Sequence, residues 1–187
     1  MGFVRRIGRR IAKRLVTEPP RQEGGRPEAQ PTPPSAPDPE SHAVASQLVD
    51  AEAVFQAIHG EGRVRIVNHW ATWCSSCVEE LPLLVELSRR LGPDVEVLGV
   101  SWDGFQASVP RSQLVGEVEQ CSLEHGLSWG SLVVDTDPET FFERLELSCH
   151  TVPQLWVVDG QGKVVHRIDE PLDEAMLTQI VARVEAL

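Results

Sequence analysis

The chain has little of several features that would place it in other classes of protein. It holds four cysteines in 187 residues, too few for the disulfide framework of a small secreted domain. Lys and Arg number 17 against 28 Asp and Glu, for a net charge of −11. Residues 41–187 carry nine basic and 23 acidic side chains, so they lack the basic footprint that phosphate contacts require. We therefore expect no nucleic-acid partner.

A long apolar run is also missing near the start of the chain. Within residues 1–17 no apolar run exceeds two residues, so we expect neither the apolar core of about 7–15 residues in a secretory signal nor a membrane span of ~20. Six Lys or Arg and no acid accompany apolar residues at helical spacing. This basic amphipathic pattern predicts either peripheral contact with an anionic membrane surface or a basic extension without fixed structure.

Proline separates this segment from the rest of the chain. Residues 18–42 hold eight of the 14 prolines and show no apolar periodicity, which predicts an extended linker and a spacer function. Residues 43–187 then show a globular pattern. With 41% hydrophobic residues overall, the chain can form one well-cored domain with an appendage.

Two cysteines lie where a strand pattern gives way to a helix pattern. Residues 63–70 alternate β-branched and polar side chains, and leucines at helical spacing then run to Gly92, which predicts a strand followed by a helix. Cys74 therefore lies at the helix N-terminus, where unpaired N–H groups and the helix dipole stabilise a thiolate. Cys77 lies about one turn further. A pair so placed can close a small disulfide and reopen it by thiol exchange.

Other segments alternate between the two kinds of pattern. Helices are predicted at residues 44–59, 111–125, 139–147 and 172–187, and strands at 95–102, 132–134, 154–158 and 163–168. Because a helix joins the strands at 63–70 and 95–102, these two should pair in parallel. The turn at 159–162 predicts a hairpin. The pattern indicates an α/β domain.

The segment that contains the cysteine pair resembles a known active site. Residues 67–82 read VNHWATWCSSCVEELP, which is similar to the active-site segment of thioredoxin-fold proteins, specifically the TlpA-like and ResA-like thiol-disulfide oxidoreductases. The resemblance extends from about residue 51 to the C-terminus. It implies a thioredoxin-like fold with a central mixed β-sheet flanked by helices. It also implies protein disulfide or dithiol substrates, a redox partner, and a redox-active Cys74–Cys77 disulfide in place of any cofactor or metal.

The resemblance implies roles for further residues around the cysteine pair. Cys74 would be the nucleophile and Cys77 the resolving cysteine. Pro153 would be a cis proline facing the dithiol, and the backbone of Val152 would pair with an extended substrate segment. Judged alone, an X-Pro bond is cis in only about 5% of cases, and a trans proline opening a strand is the alternative. Trp73 would line the apolar surface on which a substrate docks.

The resolving cysteine needs a base, and the sequence departs here from thioredoxin. Thioredoxins place an aspartate six residues before the first cysteine, where this chain has Asn68, which cannot accept a proton. A buried Cys77 thiol stays protonated near its ordinary pKa of ~8.5. Glu80 matches a glutamate that ResA-like proteins use near their dithiol, which implies a proton shuttle. The alternative is a solvated helix glutamate.

Cys121 and Cys149 lie outside the motif. Each could be a small buried hydrophobic residue, the two could form a disulfide, and Cys149 could approach the active site as a third thiol. A zinc site built from all four cysteines is disfavoured, because only one C-x-x-C occurs and it is flanked by strand and helix.

Three functions compete on this sequence. The first is a protein disulfide oxidoreductase, most simply a reductase. The second is a peroxiredoxin-like peroxidase, which needs Thr or Ser three residues before its cysteine and Pro seven before, where Ala71 and Val67 stand. The third is a thioredoxin-fold adaptor without enzymatic activity. TlpA-like proteins usually act outside the cytoplasm, but the first 17 residues show no export signal. We therefore expect the cytoplasm, at the membrane surface, with the periplasm as the alternative.

Overall fold

A computed structural model describes residues 45–106 and 109–187. The predictions for the basic segment 1–17, for the linker 18–42 and for the first two residues of the predicted domain lie outside the described residues. Within the described ranges, no helix combines the length and the apolar character needed to cross a membrane.

Strands and helices alternate along the described chain. In order they are β1 Gln47–Val49, α1 Ala51–His59, β2 Arg65–Trp70, α2 Ser75–Leu91, β3 Glu96–Ser101, α3 Leu114–Glu124, β4 Ser131–Val134, α4 Pro138–Arg144, β5 Gln154–Val158, β6 Val164–Ile168 and α5 Glu174–Val184. The sheet order is β1-β4-β3-β2-β5-β6. β1, β4, β3 and β2 pair with one another in parallel, whereas β5 pairs antiparallel with both β2 and β6. This confirms the predicted mixed sheet.

Local side chains explain where several helices begin and end. The carboxylates of Asp50, Asp137 and Asp173 each accept a backbone N–H in the first turn of the helix that follows, as helix N-caps do. Gly92 ends α2 with a φ of 74°, a conformation that glycine adopts without steric cost. The predicted helices at 139–147 and 172–187 are therefore present but shorter, and the one at 111–125 begins with a 3₁₀ turn.

One prediction at the start of the domain is wrong. The helix expected over residues 44–59 begins only at Ala51, and residues Gln47–Val49 form β1, which pairs in parallel with β4. Two adjacent apolar residues, Leu48 and Val49, fit the end of an amphipathic helix as well as a strand. The partner strand decides between them, because it supplies the backbone hydrogen bonds.

Helices cover both faces of the sheet. α2 packs against α5, and α1 packs against α4; right-handed crossovers place these two pairs on opposite faces. Successive strand residues point to opposite faces. His69 packs against Trp102, which contacts Phe141 of α4, so the side chain of Asn68 lies on the other face, beneath α2. The end of β2 thus places the cysteine pair at the carboxyl ends of the parallel strands.

A close approach between β3 and β4 yields a stability prediction. A Cβ added at Gly99 would overlap the Oγ of Ser131, which accepts a hydrogen bond from Trp70 Nε1 at 3.1 Å. We expect Gly99→Ala to lower the free energy of unfolding by about 1–3 kcal/mol through overpacking, measured by urea denaturation. Gly116→Ala is the matched control, because its Cβ meets no atom within 4 Å and alanine favours a helix. Equal effects of the two substitutions would contradict the explanation.

Candidate active site

The cysteine pair lies at the junction of β2 and α2, as the sequence predicts. Cys74 is the N-cap of α2, and its Sγ accepts the backbone N–H of Cys77 at 3.3 Å. The two cysteines are joined by a disulfide, and their Cα atoms are 5.3 Å apart. The side chain of Cys74 is 9% exposed and that of Cys77 is fully buried. Of the two sulfurs, the Cys74 sulfur therefore lies nearer the surface.

A second segment completes the surface around Cys74. The Val152–Pro153 peptide bond is cis, as the family resemblance implies. The carbonyl oxygen of Val152 lies 3.8 Å from Cys74 Sγ, and the hydroxyl of Ser76 lies 3.5 Å from the same sulfur. Backbone polar groups next to the outer sulfur can pair with an extended polypeptide.

Gln154 holds the loop before the cis proline, a role that the sequence did not reveal. Its buried Nε2 donates to the carbonyl oxygens of Cys149 and Thr151, at 3.0 and 2.6 Å. Its Oε1 accepts the indole N–H of Trp156 at 3.3 Å. A polar residue at the first position of an otherwise apolar strand was the signal available in the sequence. Gln154 therefore ties the loop beside the dithiol to the core.

Asp103, also missed in the sequence, holds the loop on the other side. Its buried carboxylate accepts the backbone N–H of Thr72, at 3.1 and 3.2 Å to its two oxygens, and the hydroxyls of Thr72 and Ser101. These bonds attach the turn before Cys74 to the end of β3. The available signal was an acidic residue directly after a strand.

The Asp103 contacts give a second stability prediction. Asp103→Ala leaves the N–H of Thr72 and two hydroxyls without their acceptor, so we expect the free energy of unfolding to fall by about 2–4 kcal/mol. Asp103→Asn retains one acceptor oxygen, so its free energy of unfolding should fall by less. Thermal or urea denaturation of both variants measures the difference. Wild-type stability in Asp103→Ala would show that these hydrogen bonds contribute little.

Glu80 is buried, so its interpretation as a solvated glutamate is wrong. The side chain is 3% exposed, whereas its neighbour Glu79 is exposed. Its Oε2 accepts the backbone N–H of Leu172 at 2.9 Å, and its Oε1 has no hydrogen-bond partner among the described residues. Burial raises the pKa of Glu80 from 4.5 to about 7, although the bond from Leu172 opposes the shift. Glu80 can therefore take up and release a proton near neutral pH.

Two other buried polar side chains near the motif cannot serve as the base. Asn68 is fully buried, and its amide makes no hydrogen bond to any residue that the structure describes. His69 accepts the indole N–H of Trp102 at its Nδ1, at 3.2 Å. Burial, with a smaller effect of the Arg167 charge, lowers the pKa of His69 to about 3. Its ring is thus neutral and a very weak base.

The two tryptophans of the motif differ in exposure. Trp70 is fully buried, whereas Trp73 is 41% exposed. Trp73 lines a groove of about 370 Å³ that also includes Phe105, Phe142, His150 and Val152. Trp70 is therefore a core residue, and Trp73 lies on an open apolar surface beside the dithiol.

The two remaining cysteines are free and partly exposed, so the disulfide considered between Cys121 and Cys149 is not formed. Burial, together with the charges of Glu124 and Asp103, raises the pKa of the Cys121 thiol. Cys149 lies on the loop that leads to Val152, with its Sγ 3.0 Å from the Thr151 hydroxyl.

Within residues 45–106 and 109–187 no group of three or more His, Cys, Asp or Glu side chains is arranged to hold a metal.

Known proteins share both the sequence and the fold. The chain is 33% identical over 150 residues to the thiol:disulfide interchange protein HelX of Rhodobacter capsulatus, a match that covers 75% of this chain and 72% of HelX. It is 31% identical over 132 residues to the thiol:disulfide interchange protein DsbE of Allochromatium vinosum, covering 65% of this chain and 62% of that protein. No family model matches the chain.

A solved structure supports the same assignment at the level of the fold. The crystal structure of a DsbF homologue from Corynebacterium diphtheriae matches with a TM-score of 0.55 and 18% identity, over 68% of this chain and 75% of that one. This match confirms the predicted thioredoxin-like fold. The similarity to the two thiol:disulfide interchange proteins confirms the predicted oxidoreductase activity on protein disulfides. The chain belongs to the thiol:disulfide interchange proteins, thioredoxin-fold oxidoreductases related to HelX and DsbE.

Proposed function

We propose that this protein reduces disulfide bonds in polypeptide substrates, using Cys74 to attack, Cys77 to resolve and Glu80 to move the proton. The observation that carries the proposal is the difference in burial between Cys74, which lies nearest the surface, and the more deeply buried Cys77 and Glu80. The Cys74 sulfur lies beside the backbone of Val152, while Cys77 is fully buried and Glu80 is 3% exposed. Such an order gives an outer nucleophile, an inner thiol and a buried base.

The first step breaks the substrate disulfide. In the disulfide form the N–H of Cys77 and the hydroxyl of Ser76 lie next to the Cys74 sulfur, and at the N-terminus of α2 the same groups should stabilise the Cys74 thiolate of the reduced protein. It attacks one sulfur of the substrate disulfide while a substrate segment pairs with the backbone of Val152 beside Pro153 and packs on Trp73. A Cys74–substrate bond forms, and the other substrate sulfur leaves as a thiolate that takes a proton from water.

The second step releases the substrate. The carboxylate of Glu80 takes the proton of the Cys77 thiol, and the Cys77 thiolate attacks Cys74 Sγ. The Cys74–Cys77 disulfide forms, the mixed disulfide breaks, and the second substrate sulfur leaves as a thiolate. The substrate has gained two electrons, and the protein has lost two. A dithiol partner protein must then reduce the Cys74–Cys77 disulfide.

The reduction potential tests the direction of electron flow. The purified protein is equilibrated in dithiothreitol or glutathione buffers and the free thiols are counted, with Cys74→Ser as the control. A potential of about −270 mV or lower, near that of thioredoxin, supports a reductase. A potential near about −120 mV would overturn the proposed direction and indicate an oxidant.

We also propose that the domain acts outside the cytoplasm. The cytoplasmic location expected from residues 1–17 gains no support from the relatives, whereas the family assignment favours the periplasmic alternative, since TlpA-like proteins usually act there. Alkaline phosphatase fused to the C-terminus folds actively only in an oxidising compartment, so an active fusion supports the proposal. An inactive fusion that is present in normal amounts would contradict it.

Residues 1–17 are the proposed membrane contact of the chain. Their six basic residues and absence of acids support attraction to anionic lipid. The full chain should sediment with phosphatidylglycerol vesicles at low salt and remain in solution with phosphatidylcholine vesicles. Equal behaviour with the two lipids would contradict an electrostatic contact.

A further inference from the structure

The groove beside the dithiol has aromatic walls and borders directly on the reactive sulfur. Trp73, Phe105 and Phe142 line it, together with Val152, whose carbonyl oxygen lies 3.8 Å from Cys74 Sγ. A polypeptide whose disulfide sulfur reaches Cys74 can therefore place a neighbouring side chain in this groove. The volume of about 370 Å³ gives room for one large side chain.

His150 is the ionisable side chain in the described lining of this groove, and two contacts fix its ring. The ring stacks on Phe142 with a centroid distance of 4.3 Å and an interplanar angle of 8°. Its Nε2 lies 3.0 Å from the carbonyl oxygen of Leu147. Since a carbonyl only accepts, Nε2 must carry the hydrogen, and in the neutral ring Nδ1 is then an acceptor.

The free acceptor gives the groove a chemical preference. Nδ1 of His150 forms no hydrogen bond with any other described residue, and the side chain is exposed. An aromatic ring is favoured against Trp73 and Phe142, and a hydroxyl on that ring can donate to Nδ1. Among natural side chains, tyrosine combines these two features with a phenolic donor at the far end of the ring.

We infer that His150 is a specificity-determining residue, through which the protein prefers disulfides that have a tyrosine next to the attacked cysteine. The inference rests on the proposed reduction of polypeptide disulfides and adds a substrate class to it. The phenol O–H donates to Nδ1, and its ring packs between the aromatic walls. A phenylalanine fills the same space but leaves Nδ1 without a donor.

Two peptide disulfides that differ only in Tyr or Phe beside the cysteine test the inference. With the wild-type protein, we expect kcat/KM to be about three- to tenfold higher for the Tyr peptide, the size of one neutral hydrogen bond. The difference should appear mainly in KM, because the bond is present before and during the reaction. His150→Phe keeps a ring to stack on Phe142 and removes the acceptor. It should bring the Tyr-to-Phe ratio to about one.

The ratio is measured within each variant, so a loss of total activity does not obscure it. His166→Phe, a substitution on β6, is the matched control and should retain the wild-type ratio. Equal kcat/KM for the two peptides in the wild type, or a ratio that survives in His150→Phe, would overturn the inference while leaving disulfide reduction intact. Failure of the wild type to reduce either peptide or insulin would instead overturn the proposed reductase.

Discussion

Cys74→Ser is expected to abolish disulfide reduction, lowering the rate by a factor of about 10³ or more. A serine hydroxyl is a much weaker nucleophile than a thiolate and cannot form the mixed disulfide. Cys77 cannot take its place, because its side chain is fully buried. The measurement is the rate of insulin or peptide disulfide reduction with dithiothreitol as the electron source.

Cys77→Ser should fail at a different step. Its nucleophile is intact, so a Cys74–substrate mixed disulfide should form and accumulate, detectable by non-reducing mass spectrometry. Cys121→Ser serves as the matched control, since Cys121 is free in the structure, and should turn over at close to the wild-type rate. Trapping of substrate on Cys77 in the Cys74→Ser variant would contradict the assignment of the two roles.

Glu80→Gln is expected to slow the release of substrate by about 10²-fold at neutral pH, the usual effect of removing a general base. The glutamine is similar in size but cannot accept the Cys77 proton. Because the carboxylate is the active form and its pKa is about 7, the wild-type rate should rise with pH through about that value. The variant should lose this rise. Rapid-quench measurement of mixed-disulfide decay between pH 5 and 9 separates this step from the first attack.

Glu79→Gln is the control for the loss of one charge in the same turn of α2, because Glu79 is exposed. It should keep the wild-type rate and pH profile. A Glu80→Gln variant with an unchanged profile would show that the proton of Cys77 goes elsewhere, directly to water or to the substrate.

The same carboxyl should make stability depend on pH. In the unfolded chain Glu80 ionises above its ordinary pKa of 4.5, but in the folded protein it ionises only near pH 7. The folded state therefore binds the extra proton, and stability falls as pH rises between these values, by roughly 3 kcal/mol. The free energy of unfolding of Glu80→Gln minus that of wild type, measured by urea denaturation, should therefore be about 3 kcal/mol larger at pH 8 than at pH 4. If this difference between variant and wild type were the same at pH 4 and pH 8, the pKa of Glu80 would be the same in the folded and unfolded states.

Local signals in the sequence predicted much of the fold. The strand at 63–70 and the helix after Cys77 were predicted from contiguous residues, and both are present. The N-caps at Asp50, Asp137 and Asp173 were not predicted, although each lies three residues before the N–H group that it accepts. β1 was missed because residues Gln47–Val49 become a strand only by pairing with β4, more than 80 positions away. The sequence of three residues contains little information about pairing with a distant strand.

The same distinction applies to the candidate site. Asp103 and Thr72 are 31 positions apart, and the bonds from Gln154 depend on the path of the loop before Pro153. Neither residue belongs to a motif with a fixed spacing. Their roles became visible only when the backbone around Cys74 and Pro153 was in place.

By itself, the sequence determined that this protein carries a dithiol at a strand-to-helix junction, because Cys74, Cys77 and the first turn of α2 are contiguous. The family resemblance implied the roles of Cys74, Cys77 and Glu80, but only the tertiary structure decided the burial of the two sulfurs and the raised pKa of Glu80. It brings Val152, 78 positions away, to 3.8 Å from Cys74 Sγ, and places the N–H of Leu172, 92 positions away, on Glu80. Burial and pKa depend on atoms contributed by distant segments, so no short stretch of sequence contains them.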